Sequence, residues 1–446
     1  MSREEAHRLW RQFANPDYMD LLEALDFGRC FVRASGTRLY DDAGREYTDF
    51  LAGFGVHNIG HNHPRVVNAL HEALDSQMPS MLNADAPLMA GRLAARLTAL
   101  THSSLCRASF ANSGAEAADM AIKAARAATG RGLIVSCAGG YHGLSVGTLP
   151  LLGRAEFAWP FGATGADATQ IPFDDLQALE EVCARRQPAA FIVEPIQGEG
   201  GIRVASGGYL REAGRICRRH GCLLVIDEIQ TGLGRTGVLF ATDFAEVVPD
   251  ILLLGKALSG GLVPVSAAMM TADVWARAFG GPERCRMNAS TFAGGHLAMT
   301  AALEVLAVLV DEGLAARAKK LGAVLLQELG GLAARHTVIK EVRGSGLLIG
   351  VEFEAPEGLL AKAVPAWARE GLFAHVIAAR LLKDYGMLTT VCSLAPAVLR
   401  VEPPLVISAD EAGTFVAALD RVLADIPSYN SAVWSALWQR LSKGAR

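Results

Sequence analysis

Two charged residues stand where two apolar runs end. Asp227 closes "LLVID" and Lys256 follows "DILLLG", and in an open parallel sheet the carboxyl ends of the strands border the ligand crevice. A lysine in apolar surroundings loses part of its preference for the ammonium form, because desolvation penalises the charge. The neutral amine can then form an imine with a carbonyl cofactor. A carboxylate beside such a cofactor keeps a ring nitrogen protonated and so makes the ring an electron sink. The alternative is a buried Asp–Lys ion pair, and strand ends alone leave both readings open.

A cofactor that joins a carbonyl, a flat ring and a phosphate, as pyridoxal phosphate does, requires two more features. In "FANSGAEAADMAIKAAR" residues Asn112, Ser113, Gly114 and Ala115 open a helix. Its N–H groups and dipole suit an anion, and the Ser113 hydroxyl adds a donor. Ser113 with Glu116 three positions on is also an ordinary N-cap signature, which is compatible with that role. In "GGYHG" Tyr141 is placed to lie over a ring and His142 to brace it, although a tyrosine at a strand end is also common packing.

Two nucleotide motifs fail on context. Gly232, Gly234 and Gly237 have the spacing G-x-G-x-x-G after an apolar run, but "GLGRTGVLFATDF" opens no helix on a phosphate, as a dinucleotide site requires. Gly255-Lys256 lacks both the following Ser/Thr and the upstream glycine of a P-loop.

The elements that must position these residues alternate. "GAEAADMAIKAARAATG" and "GYLREAGRICRRHG" read as helices, while "GLIVSC", "AAFIVEPI", "CLLVIDEI" and "DILLLGKAL" read as strands. Continuous apolar strands between helices predict a mostly parallel sheet covered on both faces, an α/β fold. Upstream, residues 1 to about 30 read as helix broken by "NPDY". "TRLYDDAGREYTDF" reads as a hairpin, and Arg65 to Gln77 and Pro87 to Leu100 have helical apolar spacing. Downstream of the helix "HLAMTAALEVLAVLVDEG" come "EVRGSGLLIGVEFE", a helix around Pro365 to Ala379, "LRVEPPL" and a helix from Ala409 to Ala424. We expect residues 76–335 to form a large cofactor-binding domain. Residues 1–75 and 336–446 would form a discontinuous α+β small domain, with Trp434 and Trp438 docking the tail.

The 446 residues, 51% of them apolar, can bury a sizeable core. A net charge of -4 disfavours nucleic acid and anionic lipid as partners. Eight scattered cysteines without C-x-x-C pairs suit reduced thiols. The charged start "MSREEAHRLWRQF" and the lack of a spanning apolar run predict a cytoplasmic protein with no membrane contact. His57, His61 and His63 are expected to serve packing and loop hydrogen bonds, with no metal site.

Taken together, "FANSGAEAADMAIKAAR", "YHG", "FIVEPIQGEGG", "LLVIDEIQTGLGRTG", "ILLLGKALSGG", "STFAGGHLAMTAALEVL" and "LRVEPPL" resemble the class III, or ω-amino, aminotransferases of PLP fold type I. The resemblance runs from about Arg38 to about Ala424 and is nearest in texture to the putrescine/diamine branch. It implies that Lys256 binds the cofactor as an imine and shuttles a proton between substrate carbon and cofactor. It implies that Asp227 salt-bridges the pyridinium with Glu194 behind it, and that Gln230 bonds the ring hydroxyl. Ile229 would pack on the ring face opposite Tyr141, and Ser113, Gly114 and Ala115 would hold the phosphate. Thr291 would reach the phosphate of a neighbouring subunit in a homodimer or larger assembly.

For substrates, the resemblance places Arg400 on the α-carboxylate of 2-oxoglutarate or glutamate, by the bidentate geometry that arginine suits. Glu199 would neutralise Arg400 when an amine without that carboxylate enters. Phe54, in "DFLAGFGVHNIGH", would line the pocket. The expected activity is transfer from an amine donor to a keto-acid acceptor. Alternatives are an intramolecular aminomutase of the glutamate-1-semialdehyde type, or a non-catalytic dimeric binding protein of the same fold.

Overall fold

The computed structural model describes residues 2–81, 86–154, 156, 158–162, 167–354 and 371–426. In chain order its strands are β1 (Phe31–Ser35), β2 (Arg38–Asp41), β3 (Glu46–Asp49), β4 (Arg107–Ala111), β5 (Ile134–Cys137), β6 (Ala168–Ile171), β7 (Ala190–Val193) and β8 (Ile196–Gln197). These are followed by β9 (Arg203–Val204), β10 (Leu223–Asp227), β11 (Ile251–Leu254), β12 (Ser266–Met270), β13 (Ile339–Ser345), β14 (Leu348–Phe353), β15 (Met387–Leu388) and β16 (Val398–Val401).

Seven of them build the central sheet in the order β4-β12-β11-β10-β7-β5-β6. Period-two alternation sends Leu224 and Ile226 to one core and Leu223 and Val225 to the other, so both faces are buried and the runs read as continuously apolar. β12 is the exception to the parallel pattern, running antiparallel to both β11 and β4. Its Ala- and Met-rich "SAAMM" carries little strand signal and was not anticipated. The helix Gly114–Thr129 packs across β4, β11 and β12 through an alanine face (Ala117, Ala118, Ala121, Ala124 and Ala125), which brings helix and sheet close together.

The N-terminal meander forms as expected, with β2 and β3 antiparallel. Asp41 Oδ1 accepts from the N–H groups of Ala43 and Arg45 at 3.0 and 2.9 Å, an Asx-type closure of the turn. β3 then pairs in parallel with β15, Thr48 opposite Met387. The first and last parts of the chain therefore share a sheet. A second small sheet, β13-β14-β16, carries Arg400.

The helix Leu314–Ala333 lies between the anticipated long helix, His296–Asp311, and β13; its apolar residues are interleaved with glycines and lysines, which obscured it. The helix expected around Pro365 is described from Leu372 to Tyr385, with residues 365–370 outside the described residues. The tail with Trp434 and Trp438 also lies outside them. Among the described residues, no helix is long and apolar enough to cross a membrane.

Candidate active site

Because β12 alone is reversed, six strands of the large sheet point their carboxyl ends the same way, and five of them deliver the expected residues. β4 leads into Ser113 and Gly114, β5 into Tyr141 and His142, and β7 into Glu194. Asp227 ends β10, and Lys256 follows β11.

Asp227 is buried, and its two oxygens are committed. Oδ2 meets His142 Nδ1 at 2.8 Å, and Oδ1 accepts from the Ile229 N–H at 3.0 Å. Each oxygen keeps a further lone pair. No ion pair joins Asp227 to Lys256 among the described residues, so the bland sequence reading of a buried Asp–Lys pair is set aside. His142 braces Asp227. Burial opposes its imidazolium, but the Asp227 hydrogen bond and the charges of Asp227 and Glu194 win and raise its pKa. Its Nε2 is buried with no hydrogen-bond partner among the described residues.

Glu194 accepts from the N–H groups of Tyr141 at 2.9 Å and Gly198 at 3.1 Å. It stands behind the Asp227–His142 pair and fixes the backbone of Tyr141. Burial, above all, pushes its carboxyl up to about 7.

Lys256 has φ +42, a left-handed conformation unusual for a side-chain-bearing residue, of the kind that collects at functional sites. Burial pushes its ammonium down, against the opposing pull of Glu402 and Glu199.

The Ser113 hydroxyl oxygen accepts from Glu116 N–H at 3.2 Å as an N-cap. Its proton is left free to donate to an anion. Ser266 Oγ, at the start of the reversed strand, donates to Ser113 O at 2.7 Å and braces the turn. A Cβ on Gly114 would come 2.9 Å from Ile229 Cδ1, so Gly114 lets Ile229 lie beside the helix N-terminus. Thr291 is exposed in the turn after Ser290, whose Oγ accepts from Asn112 Nδ2 at 3.0 Å.

Arg400 and Glu199 are brought together inside the protein, not on its surface. Arg400 Nη2 donates to Glu199 Oε1 at 2.7 Å, and the Arg400 side chain has no exposure. Glu199 Oε2 also accepts from the N–H of Ser393 at 2.9 Å and from its hydroxyl. Burial acts against the Glu199 carboxylate, but Arg400, Lys256 and Ser393 hold its pKa down at about 2. Phe54 lies over this pair, its ring centroid 5.3 Å from Arg400 Cζ, within cation–π range. It is 41% exposed with φ +63.

Sequence reasoning missed two members of this cluster. Glu402, fully buried, accepts from Arg400 Nη1 at 3.0 Å and from Gln230 Nε2 at 3.0 and 3.2 Å. Since a carboxylate can only accept, the Gln230 amide nitrogen must face it. One hydrogen straddling both oxygens leaves the other for a ring hydroxyl. Gln230 Oε1 lies against Gly198, where a Cβ would come within 1.9 Å of it. Arg235, also fully buried, donates to the carbonyls of Leu347 at 2.9 Å and Pro403 at 2.6 Å and to Asn58 Oδ1 at 2.6 Å. The glycines around it, Gly234 (φ +89) and Gly237 (φ +93), form the turn that carries Arg235 inward. That is the task of the G-x-G-x-x-G spacing here.

The histidines serve local structure: His61 Nε2 meets Asp49 Oδ2 at 2.7 Å, and His63 meets Glu312 at 3.3 Å.

A family model described as aminotransferase class-III matches residues 23–423. The chain belongs to the class-III aminotransferase family. This enzyme family depends on pyridoxal phosphate and has PLP fold type I. Among curated proteins, the aminotransferase PigE of Serratia sp. is 35% identical over 96% of this chain and 54% of its own length. The chain thus spans about half the length of that relative. Among solved structures, ornithine aminotransferase from Toxoplasma gondii superposes with a TM-score of 0.81 at 34% identity, covering 96% of each chain. An amine transaminase from an uncultivated Pseudomonas species, crystallised in its PLP-bound form, gives 0.80 at 30% identity over 89% of this chain and 94% of that one.

The residues present fit the class-III cofactor on structural grounds. A buried acid–imidazole pair, a capped helix start narrowed by Gly114 and a desolvated lysine stand at adjoining strand ends.

Proposed function

We propose that this chain is a ping-pong aminotransferase. It takes the amino group of an ω-amine (a diamine, an ω-amino acid or a hydrophobic amine) and passes it to a keto acid, with 2-oxoglutarate the expected acceptor. The observation that carries this reading is the buried 2.7 Å pair of Arg400 with Glu199 beside Lys256. An unpartnered guanidinium would select carboxylates only. One with a removable carboxylate partner serves a carboxylate-free amine in one half-reaction and a keto acid in the other.

Pyridoxal phosphate, when bound, supplies the electron sink that makes the substrate carbon acidic. Asp227, backed by His142, would hold the proton on the ring nitrogen. Lys256 Nζ carries the cofactor between turnovers and takes and returns the proton at the substrate carbon. The Ser113 hydroxyl and the N–H groups of Gly114 and Ala115 bind the phosphate. Tyr141 and Ile229 enclose the ring, Gln230 meets its hydroxyl and Glu194 orients the loop behind. Thr291 completes the phosphate site of a second copy, which makes the active unit a homodimer or larger. The names of the relatives, ornithine aminotransferase and amine transaminase, support a donor whose reacting amine is remote from any carboxylate.

The test uses protein reconstituted with pyridoxal phosphate. Amine donors should bleach the near-visible absorbance and 2-oxoglutarate should restore it, with glutamate as product. Lys256→Ala should lose turnover by at least ~10³-fold. Full turnover in that variant would overturn the proposal.

A further inference from the structure

Arg400 holds two carboxylates in unequal ways. Glu402 is immobilised by Arg400 Nη1, by Gln230 and by Arg235, whose Nε lies 3.8 Å from Glu402 Oε1; the side chains of Glu402 and both arginines have no exposure. Gly55 also closes on it, since a Cβ there would come 2.5 Å from Glu402 Oε1. Glu199 takes Nη2 and is otherwise held by Ser393 alone; its side chain retains 7% exposure. The remaining nitrogen of Arg400, Nε, is buried and has no hydrogen-bond partner among the described residues.

We propose that Glu402 is a specificity-determining residue: it occupies one edge of Arg400 permanently, so a substrate carboxylate is received only on the other edge, by Nε and Nη2, when Glu199 withdraws. This rests on the reading of Arg400 as the carboxylate-binding group.

The charges fit this arrangement. Arg235, Glu402, Arg400 and Glu199 alternate in sign and sum to zero while Glu199 is in place. Withdrawal of Glu199 leaves a single positive charge, matched to one incoming carboxylate. Without the charge of Glu402 the closed cluster would stay positive and would favour carboxylate-bearing substrates throughout. The unpartnered Nε is what such a side-on contact uses, because a bidentate carboxylate bonds two adjacent guanidinium donors.

The experiment compares reconstituted wild type with Glu402→Gln, which keeps the shape and removes the charge. Half-reactions are followed with 1,4-diaminobutane and L-glutamate as donors, and with butanal and 2-oxoglutarate as acceptors. The ratio of kcat/KM for carboxylate-bearing over carboxylate-free partners should rise about tenfold in Glu402→Gln, mainly through KM. A merely structural role would lower both classes equally, and an unchanged ratio overturns the inference. If Glu402→Gln does not fold, the pair Glu402→Leu with Arg235→Met removes the buried ions together, a change that cores tolerate better than a lone loss. That pair leaves the cluster neutral while Glu199 is in place, as in wild type, so its ratio should stay within about twofold of wild type, and a tenfold rise in the pair overturns the inference. Wild type inert to all four compounds would instead sink the proposed function, and this inference with it.

Discussion

Nδ1 of His142 lies 2.8 Å from Oδ2 of Asp227, with both side chains buried. The imidazolium is favoured by that contact, so its charge is kept to higher pH than in an ordinary histidine and is lost as pH rises through its raised pKa. Replacing His142 with Asn should lower kcat about tenfold or more, the scale on which loss of an orienting partner is felt. The alkaline limb of the wild-type pH profile should also disappear in that variant. Rates measured from pH 6 to 10 in both proteins check this. An unaltered alkaline limb in His142→Asn would show that the limb belongs to another group.

Gly114 and Ile229 approach so closely that a methyl group at 114 would lie 2.9 Å from Ile229 Cδ1. The Gly114→Ala protein should retain pyridoxal phosphate about tenfold less well, because Ile229 must shift toward the space meant for the ring. Adding Ile229→Val should recover part of that loss. Equilibrium dialysis of the cofactor against the three proteins gives the comparison.

Glu228 is fully buried beside the site and accepts from the N–H groups of Ala241 at 2.5 Å and Thr242 at 2.8 Å. Burial outweighs those bonds and raises its carboxyl to about 7. A carboxyl raised on folding contributes stability that is complete below its ordinary value near 4.5 and is lost as pH rises through about 7. Glu194 acts in the same direction. Melting temperature should therefore fall between pH 6 and 8.5. The fall should be smaller in Glu228→Gln, even though that variant is less stable overall; parallel curves for the two proteins would contradict this assignment.

Arg235 answers the oxygens of Leu347, Pro403 and Asn58 at once. Truncation to Ala strands three buried acceptors and leaves Glu402 without one of its cations. The expected loss is about 3–5 kcal/mol, measured as a lowered urea midpoint. Pairing it with Glu402→Leu should recover part of the loss, since no buried charge is then left alone.

The cofactor half of the site was legible because it lies on strand ends, where a polar residue after an apolar run stands out. Asp227, Lys256, His142 and Ser113 all carry that mark. The substrate half was less legible because it depends on tertiary contacts between distant segments. Glu402 did leave a signal, as it stands two residues after Arg400 at the end of a strand. Residues at that spacing share a face, so the pair could have been read from "LRVEP". Arg235 left none: it stands between glycines, and only the closing of Leu347 and Pro403 around it makes it a core residue. β12 escaped notice because alanine and methionine carry no strand preference, yet its reversal brings Ser266 to Ser113.

The pairing of β3 with β15 imposes an order on synthesis. Every strand of the central sheet lies before residue 271 in the chain, so the part that carries Ser113 and Lys256 can begin to assemble before synthesis is finished. Phe54, although translated near the start, hangs from a meander whose neighbouring strand begins at Met387, and Arg400 arrives later still. On the proposed function, the nascent chain would therefore hold its cofactor-binding residues well before those of the substrate pocket, and late truncations should bind pyridoxal phosphate without selecting among amines.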